Sequence, residues 1–417
     1  MHAAAQVTLR VVKLPTRHRC HPKRVGNVRL RRGCAASESP GDAPVFHADS
    51  DTVRLVEFYS GSGMMRWALQ NAVSRISPHR AVRGVGAIDN SQVANAVYSA
   101  NFPCDECGPT QRNIEHLTIA DLENTFGGAE VWTASPPCQP YTRKGNQKHG
   151  RDARSSSWTH VLSLFPQLSE PSKPARVLIE NVVGFETSSV RDLTIETFER
   201  SGYDVREFVG VSPIEIGVPN TRPRYYLLAK KKKKGLGFVD EKKPFCECAD
   251  GESSLHSGNN RKPVLAYLEK EIRMHPDAHA SLLVPFHLTE KYWRFFDVVT
   301  PESLWCQCFT AGYGKTHFGG SVLAHAGFVE NEQTSDQFLE LVDSNAKRYK
   351  LKRPPPHGVL RYFAPREIAN MHGVTETFAL PPTLTTRQLY HTLGNSISVQ
   401  VVETLMAYLM EDETTGN

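Results

Sequence analysis

The chain has 417 residues, 40% apolar and 9% aromatic, an ordinary balance for a globular enzyme with room for roughly two to three compact units. No apolar run approaches the ~18 residues a membrane span needs; the longest candidates, around Val161–Phe165 and Val399–Met410, are short or broken by polar residues, so a soluble protein is expected. The formal net charge of +5 chooses no partner: residues 1–37 hold nine Lys and Arg and no acid, and the remainder carries 40 basic against 44 acidic side chains.

That basic start stands apart from the rest. Arg10, Arg17, Arg19, Arg24, Arg29, Arg31 and Arg32 all precede the first acid, a composition shared by organelle transit peptides and by disordered extensions. Scarce serines and weakly amphipathic spacing favour an extension without an address. The expected location is then the cytoplasm and the nucleus, with an organelle as the lesser alternative. Nine cysteines, an odd number in a chain long enough to bury a core unaided, indicate reduced intracellular thiols. Cys104 with Cys107, and Cys246 with Cys248, lack the further His or Cys that would complete a zinc site, so no metal is expected.

In chain order, Val53–Ser60 reads as a buried strand that breaks at Gly61-Ser62-Gly63 and gives way to helical spacing over Met64–Ala72. Ala81–Asp89 is a second strand and Val93–Asn101 a second helix. Val131–Ser135 is a third strand, stopped by Pro136-Pro137; Val177–Glu180 is a fourth, and Tyr225–Ala229 closes this half. Apolar strands alternating with helices imply an α/β, doubly wound, mostly parallel sheet. Residues 231–357 lose the rhythm and suggest a smaller, less regular inserted unit, with Lys230–Lys234 as a solvated strand exit. Helical spacing returns at Pro365–His372 and Val399–Met410, and no internal repeat is present. The expected organisation is an extension over 1–50, a main unit over 51–235, an inserted unit over 236–357, and a return to the main unit over 358–413.

The glycine turn after the first strand lets backbone approach a ligand, and the following helix presents free N–H groups. Asp89, at the carboxyl end of the neighbouring strand, suits hydrogen bonds from ribose hydroxyls; a solvent-facing loop with an Asp cap fits the same residues. Cys138, among three prolines in Ala134-Ser-Pro-Pro-Cys-Gln-Pro-Tyr-Thr142, sits on a stiff loop just past the third strand. A free thiol has a pKa near ~8.5 and needs local help to become a nucleophile, so spacing alone leaves a buried structural cysteine equally open.

Pro136-Pro-Cys-Gln-Pro140 resembles the nucleophile loop of the cytosine-5 methyltransferase family, and further blocks follow in the family's order. Glu57-Phe-Tyr-Ser-Gly-Ser-Gly63 is similar to its cofactor loop, Glu180-Asn-Val182 to its glutamate motif, Asn220-Thr-Arg-Pro-Arg224 to its arginine motif, and Leu393-Gly-Asn-Ser396 to its last cofactor motif. The resemblance covers about 350 residues, everything beyond the extension. It implies a class I fold with a smaller target-recognition domain, and S-adenosylmethionine as cofactor. It also implies catalytic residues Cys138, Glu180, Arg222 and Arg224, and cofactor contacts from Phe58, Tyr59, Gly61, Ser62, Gly63, Met64, Asp89, Ile114, Glu115, Ser135 and Asn395. In that reading Cys138 adds to C6 of cytosine, Glu180 meets N3, and Arg222 and Arg224 fix the ring's carbonyl side and a nearby phosphate. Met64 replaces a common glycine, and Asn113-Ile114 stands where relatives outside the RNA-acting branch often carry Asp-Ile.

Cys308-Phe-Thr-Ala-Gly-Tyr-Gly314, with Gly319-Gly-Ser-Val-Leu323 after it, resembles a signature of the branch that methylates tRNA, as does Arg361–Asn370. The resemblance therefore implies tRNA, at cytosine 38 of the aspartate tRNA anticodon loop, as partner in preference to DNA. An unpaired loop base reaches a flipped-base pocket at low cost. A DNA methyltransferase and a catalytically silent RNA-binding protein are the alternatives, and the chain is expected to act as a monomer. Cys308 reads as a small residue shaping the recognition unit more than as a participant in chemistry.

Overall fold

The structure, a computed structural model, describes residues 51–103, 108–137, 156–232, 238, 244, 261–270, 280–316, 319–324 and 337–412. The basic extension, the two cysteine pairs and Cys138 lie outside the described residues. The strands of the first half are β1 (Thr52–Phe58), β2 (Ala81–Ile88), β3 (Val131–Ala134), β4 (Arg176–Val182), β5 (Tyr203–Val211) and β6 (Arg224–Lys231). Between them run α1 (Met64–Ile76), α2 (Gln92–Asn101), α3 (Ser156–Leu164) and α4 (Ser189–Arg200).

These strands form one sheet in the order β2-β1-β3-β4-β6-β5. Both of its faces are covered, and the side-chain period of two distributes each strand between two cores. Val53, Leu55, Val131, Leu178, Tyr226 and Leu228 join one apolar cluster with α1. Val56, Phe58, Trp132, Ile179, Tyr225 and Leu227 join the other, with Trp158 and Val161 of α3 and Phe198 of α4. The first four strands in the order run parallel, but β6 is antiparallel to both β4 and β5. The reversal follows from β5, an edge strand that the sequence pattern did not reveal. Its residues mix polar and apolar without a continuous buried run, and most are only half-buried. Glu207 on it accepts from Arg191 Nε at 2.8 Å and from Tyr225 Oη at 2.6 Å.

The second half carries α5 (Phe286–Tyr292) and five short strands, β7 (Val298–Val299), β8 (Val322–Ala324), β9 (Leu339–Asp343), β10 (Arg348–Leu351) and β11 (Leu360–Arg361), in the order β11-β8-β7-β10-β9. Helices α6 (Pro365–Met371), α7 (Thr386–Gly394) and α8 (Val399–Met410) follow. Helix α8 packs along α1, and its side chains, those of the second sheet and those of β1 belong to one apolar cluster. The passage from β11 into α6 is pinned by the Arg361 guanidinium, which donates to both oxygens of the fully buried Glu367 at 2.7 and 2.8 Å. Such a fork is directional, so it fixes the angle at which the chain re-enters the main unit.

One lysine departs from expectation. Lys230 is 1% exposed, donates to the Glu411 carbonyl and pairs with Asp412 at 3.2 Å, while Lys231 pairs with Glu170 at 2.6 Å. The start of the lysine run therefore anchors the end of α8 instead of meeting solvent. Among the described residues no helix is long and apolar enough to cross a membrane.

Candidate active site

The strand order reverses direction of growth between β1 and β3, the crevice where open α/β sheets take their ligands. A cavity of about 240 Å³ opens there, lined by Tyr59–Ser62 after β1, Asp89 and Ser91 after β2, Ser135 and Pro137 after β3, and His391, Thr392 and Asn395–Ile397 around the end of α7. Its floor is set by backbone conformation. Tyr59, Gly61 and Gly63 all take positive φ (56°, 55° and 82°), so the chain turns sharply before α1. A Cβ on Gly63 would stand 2.5 Å from the Phe102 ring and 2.9 Å from Tyr98; one on Gly61 would meet nothing closer than 3.9 Å. Gly63 is thus demanded by packing beneath the turn, and Gly61 by φ alone. Asp89 braces the same turn, accepting from Gly61 N–H at 2.9 Å and Ser91 N–H at 2.7 Å.

Of the expected cofactor contacts, Tyr59, Gly61, Ser62, Met64, Asp89, Ser135 and Asn395 line this cavity. Phe58 and Ile114 are core residues, 1% and 3% exposed, and Gly63 supports the turn from below. Glu115 lies on the surface, where Ser156 donates to its carboxylate. The sequence reading missed Ser60, Met65, Ser91, Ala94, Pro137, His391, Thr392, Ser396 and Ile397. Most of these adjoin a motif residue, and neighbours in chain around a turn were the available signal. The mixed lining suits a nucleoside joined to a polar tail: apolar surface from Met64, Met65 and Ile397, hydroxyls from several serines, one carboxylate. The buried Ser60 Oγ has no hydrogen-bond partner among the described residues, as expected of a wall completed by a polar ligand.

Two strands away, β4 and β6 build a charged pocket. Their register sets Glu180 opposite Tyr226 and Val182 opposite Arg224, so Glu180 and Arg224 are diagonal neighbours on one face. Arg224 Nε lies 3.1 Å from Glu180 Oε1. Burial pushes the Glu180 carboxyl above the usual carboxylate range, against the opposing pull of Arg224 and Arg222 and a hydrogen bond with Ser135. Asn181 donates from Nδ2 to the Pro136 carbonyl at 3.3 Å and so holds the stem of the loop leading to Cys138.

The arginine motif is zipped to the 306–309 segment. Asn220 Nδ2 donates to the Gln307 carbonyl at 2.9 Å, and Thr221 gives the Cys306 carbonyl its N–H at 2.9 Å and its hydroxyl at 2.7 Å. Arg222 reaches Cys308 Sγ at 3.2 Å. Burial acts to raise the Cys308 thiol, but Arg222 and Arg224 outweigh it and hold the group below the ordinary thiol value. Cys308 thus stands at the charged pocket, closer to the chemistry than a shaping residue of a separate unit. Arg222, expected at the base or a phosphate, is 2% exposed, and its guanidinium is engaged by internal acceptors.

A doubly wound sheet with a nucleoside-type cavity at its switch point, beside a buried carboxyl and an arginine, defines a class I methyltransferase. A family model described as C-5 cytosine-specific DNA methylase matches residues 53–411, and the chain belongs to that family, whose methyl donor is S-adenosylmethionine. It is 34% identical over 410 residues to the mouse tRNA (cytosine(38)-C(5))-methyltransferase, covering 87% of this chain and 94% of that one. It is 32% identical to a Dictyostelium discoideum DNA (cytosine-5)-methyltransferase, over 86% of this chain and 95% of that one. The crystal structure of S. pombe Dnmt2 methyltransferase superposes with a TM-score of 0.65 at 30% identity, covering 86% of this chain and 98% of that one.

Proposed function

We propose that this protein methylates C5 of cytosine 38 in a tRNA, using Cys138 as the covalent nucleophile. The observation that carries the substrate assignment is the 34% identity, over nearly the whole of both chains, to a relative named for that reaction. The Cys308-Phe-Thr segment, zipped to the arginine motif, gives the same reading a structural place.

Cytosine C5 is a poor nucleophile while the ring is aromatic. The Cys138 thiolate adds to C6, and the electron pair moves to C5. Burial raises the Glu180 pKa and so favours the protonated carboxyl, which donates toward N3 and stabilises the charge that develops on the ring. Arg224, 3.1 Å from that carboxyl, orients it and faces the pocket. When bound, S-adenosylmethionine would supply C5 with an electrophilic methyl group, its methyl–sulfur bond breaking to leave S-adenosylhomocysteine. A base then removes the C5 proton, and the returning electron pair expels the Cys138 thiolate, restoring the aromatic ring. The target must leave its stack to reach this pocket, which an anticodon-loop base does at low cost.

The test is transfer of labelled methyl to tRNA transcripts with cytosine or uridine at position 38, set against duplex DNA. Label confined to the cytosine-38 transcript supports the assignment, and preference for the duplex defeats it. The DNA reading is the second choice and is favoured by one observation, the identity to the Dictyostelium relative named for DNA.

A further inference from the structure

The four terminal guanidinium hydrogens of Arg222 can be accounted for one by one. Nη1 donates to Cys308 Sγ at 3.2 Å and to the Phe309 carbonyl at 3.0 Å. Nη2 donates to the Gly394 carbonyl at 3.1 Å and to the Ser396 carbonyl. The backbone N–H of Arg222 is fixed by Ser212 Oγ at 2.9 Å. Only Nε lacks a partner among the described residues, and it too is buried. A side chain 2% exposed, with both amino groups engaged, does not reach substrate or cofactor.

Its acceptors belong to two different walls. Cys308, followed in chain by the buried Phe309, stands against Arg222 and Arg224 at the charged pocket, while Ser396 lines the cofactor cavity and Gly394 precedes Asn395, which lines it too. Ser396 extends the link, since its hydroxyl is 3.1 Å from that of Ser62 in the glycine turn. The two walls also touch directly. A Cβ on Gly394 would fall 2.2 Å from the Thr310 carbonyl carbon and 2.3 Å from the Ala311 nitrogen, both backbone, so neither side can give way.

We infer that Arg222 is a positioning residue that couples the cofactor cavity to the target-base pocket, so that occupying one stiffens the other. The inference rests on the methyltransferase reading of the site. Cofactor contacts on Asn395 and Ser396 fix the two carbonyls that hold Nη2, and a fixed guanidinium holds Cys308 and Phe309 in place through Nη1. By linkage the effect is reciprocal: RNA in the pocket tightens cofactor, and cofactor tightens RNA.

The test is calorimetric, with S-adenosylhomocysteine as the cofactor probe and a tRNA anticodon stem-loop containing cytosine as the RNA probe. The dissociation constant of S-adenosylhomocysteine is measured with and without the stem-loop, for the full chain and for three variants. In the unaltered protein the ratio is expected to be about 5-fold or more, the lower end of ordinary coupling between sites. Arg222→Lys keeps the charge but cannot serve four acceptors at once, and should bring the ratio close to one. Ser396→Ala keeps the Ser396 carbonyl but removes the hydroxyl that pairs with Ser62 and donates to the Thr392 carbonyl at 2.9 Å, and should lower the ratio. Val402→Ala, in the core of α8, is the control for general destabilisation and should lose melting temperature without changing the ratio. A ratio unchanged in both Arg222→Lys and Ser396→Ala overturns the coupling role, as does a unit ratio in the unaltered protein. Absence of any S-adenosylhomocysteine binding by the unaltered protein overturns the methyltransferase reading instead.

Discussion

The cofactor cavity and the charged pocket are built by different means. The cavity is a matter of backbone: three consecutive odd-numbered residues at positive φ, and one carboxylate that caps two N–H groups. Its floor is local, while one wall comes from the end of α7, with Ser396 set against Ser62 from 334 residues away. The pocket is a matter of side chains brought from afar, with Glu180 and Arg224 from paired strands and Cys308 from a segment more than eighty residues on. Local chain stiffness holds the first, and desolvated charge holds the second. Damage to the cavity should therefore register first as lost cofactor affinity or stability, and damage to the pocket as lost turnover.

The sharpest division should come from Cys138→Ala. Methyl transfer is expected to vanish, because the proposed mechanism routes the electrons to C6 through this thiolate, while S-adenosylhomocysteine affinity stays within about twofold. Full transfer by this variant would end the covalent mechanism.

Glu180→Gln comes next, with kcat expected to fall about 10² to 10³-fold, the usual cost of a lost donor to developing charge. Its pH profile carries more information than its size. Burial raises the Glu180 pKa, so the folded protein keeps this proton where an exposed glutamate has lost it. Any stability due to that proton is present at low pH and lost as pH rises through the raised value. Activity should fall over the same interval, giving kcat an alkaline limb that is missing in Glu180→Gln. An identical limb in both proteins would assign it to some other group.

Within the cavity, the two glycines separate packing from backbone strain. Gly63→Ala should cost about 2 to 4 kcal/mol, combining the left-handed penalty with overpacking against Phe102 and Tyr98. Asp89→Ala removes the acceptor for two turn N–H groups and should weaken S-adenosylhomocysteine about tenfold by titration, with kcat at saturating cofactor little changed. The smallest effect belongs to Gly61→Ala, about 1 to 2 kcal/mol from φ alone. Equal losses of melting temperature at Gly61 and Gly63 would show that Phe102 yields, and the packing argument would fail.

Legibility in the sequence followed the same division. The strands β1 to β4 and the glycine turn could be read directly, because buried parallel strands are near-continuous apolar runs and a left-handed turn needs glycine. The edge strand β5 was hidden, since a strand with one wet face and polar neighbours has no such run. Lys230 was misread for a related reason: a lysine in a basic run looks solvated until Glu411 and Asp412, 181 and 182 residues later, are folded against it.

The sequence by itself determined the doubly wound sheet and the ligand crevice after β1, because strand periodicity and glycine turns are local properties; Glu180 and Arg224 were named by the resemblance of two short motifs to a family. Only the tertiary structure decided what the motif residues touch. Arg222 lies buried among internal acceptors, Glu115 on the surface beside Ser156, and Cys308 at the charged pocket. A side chain's type announces what it can bond, but its partners are chosen by chain crossings tens to hundreds of residues apart, and no local pattern records them.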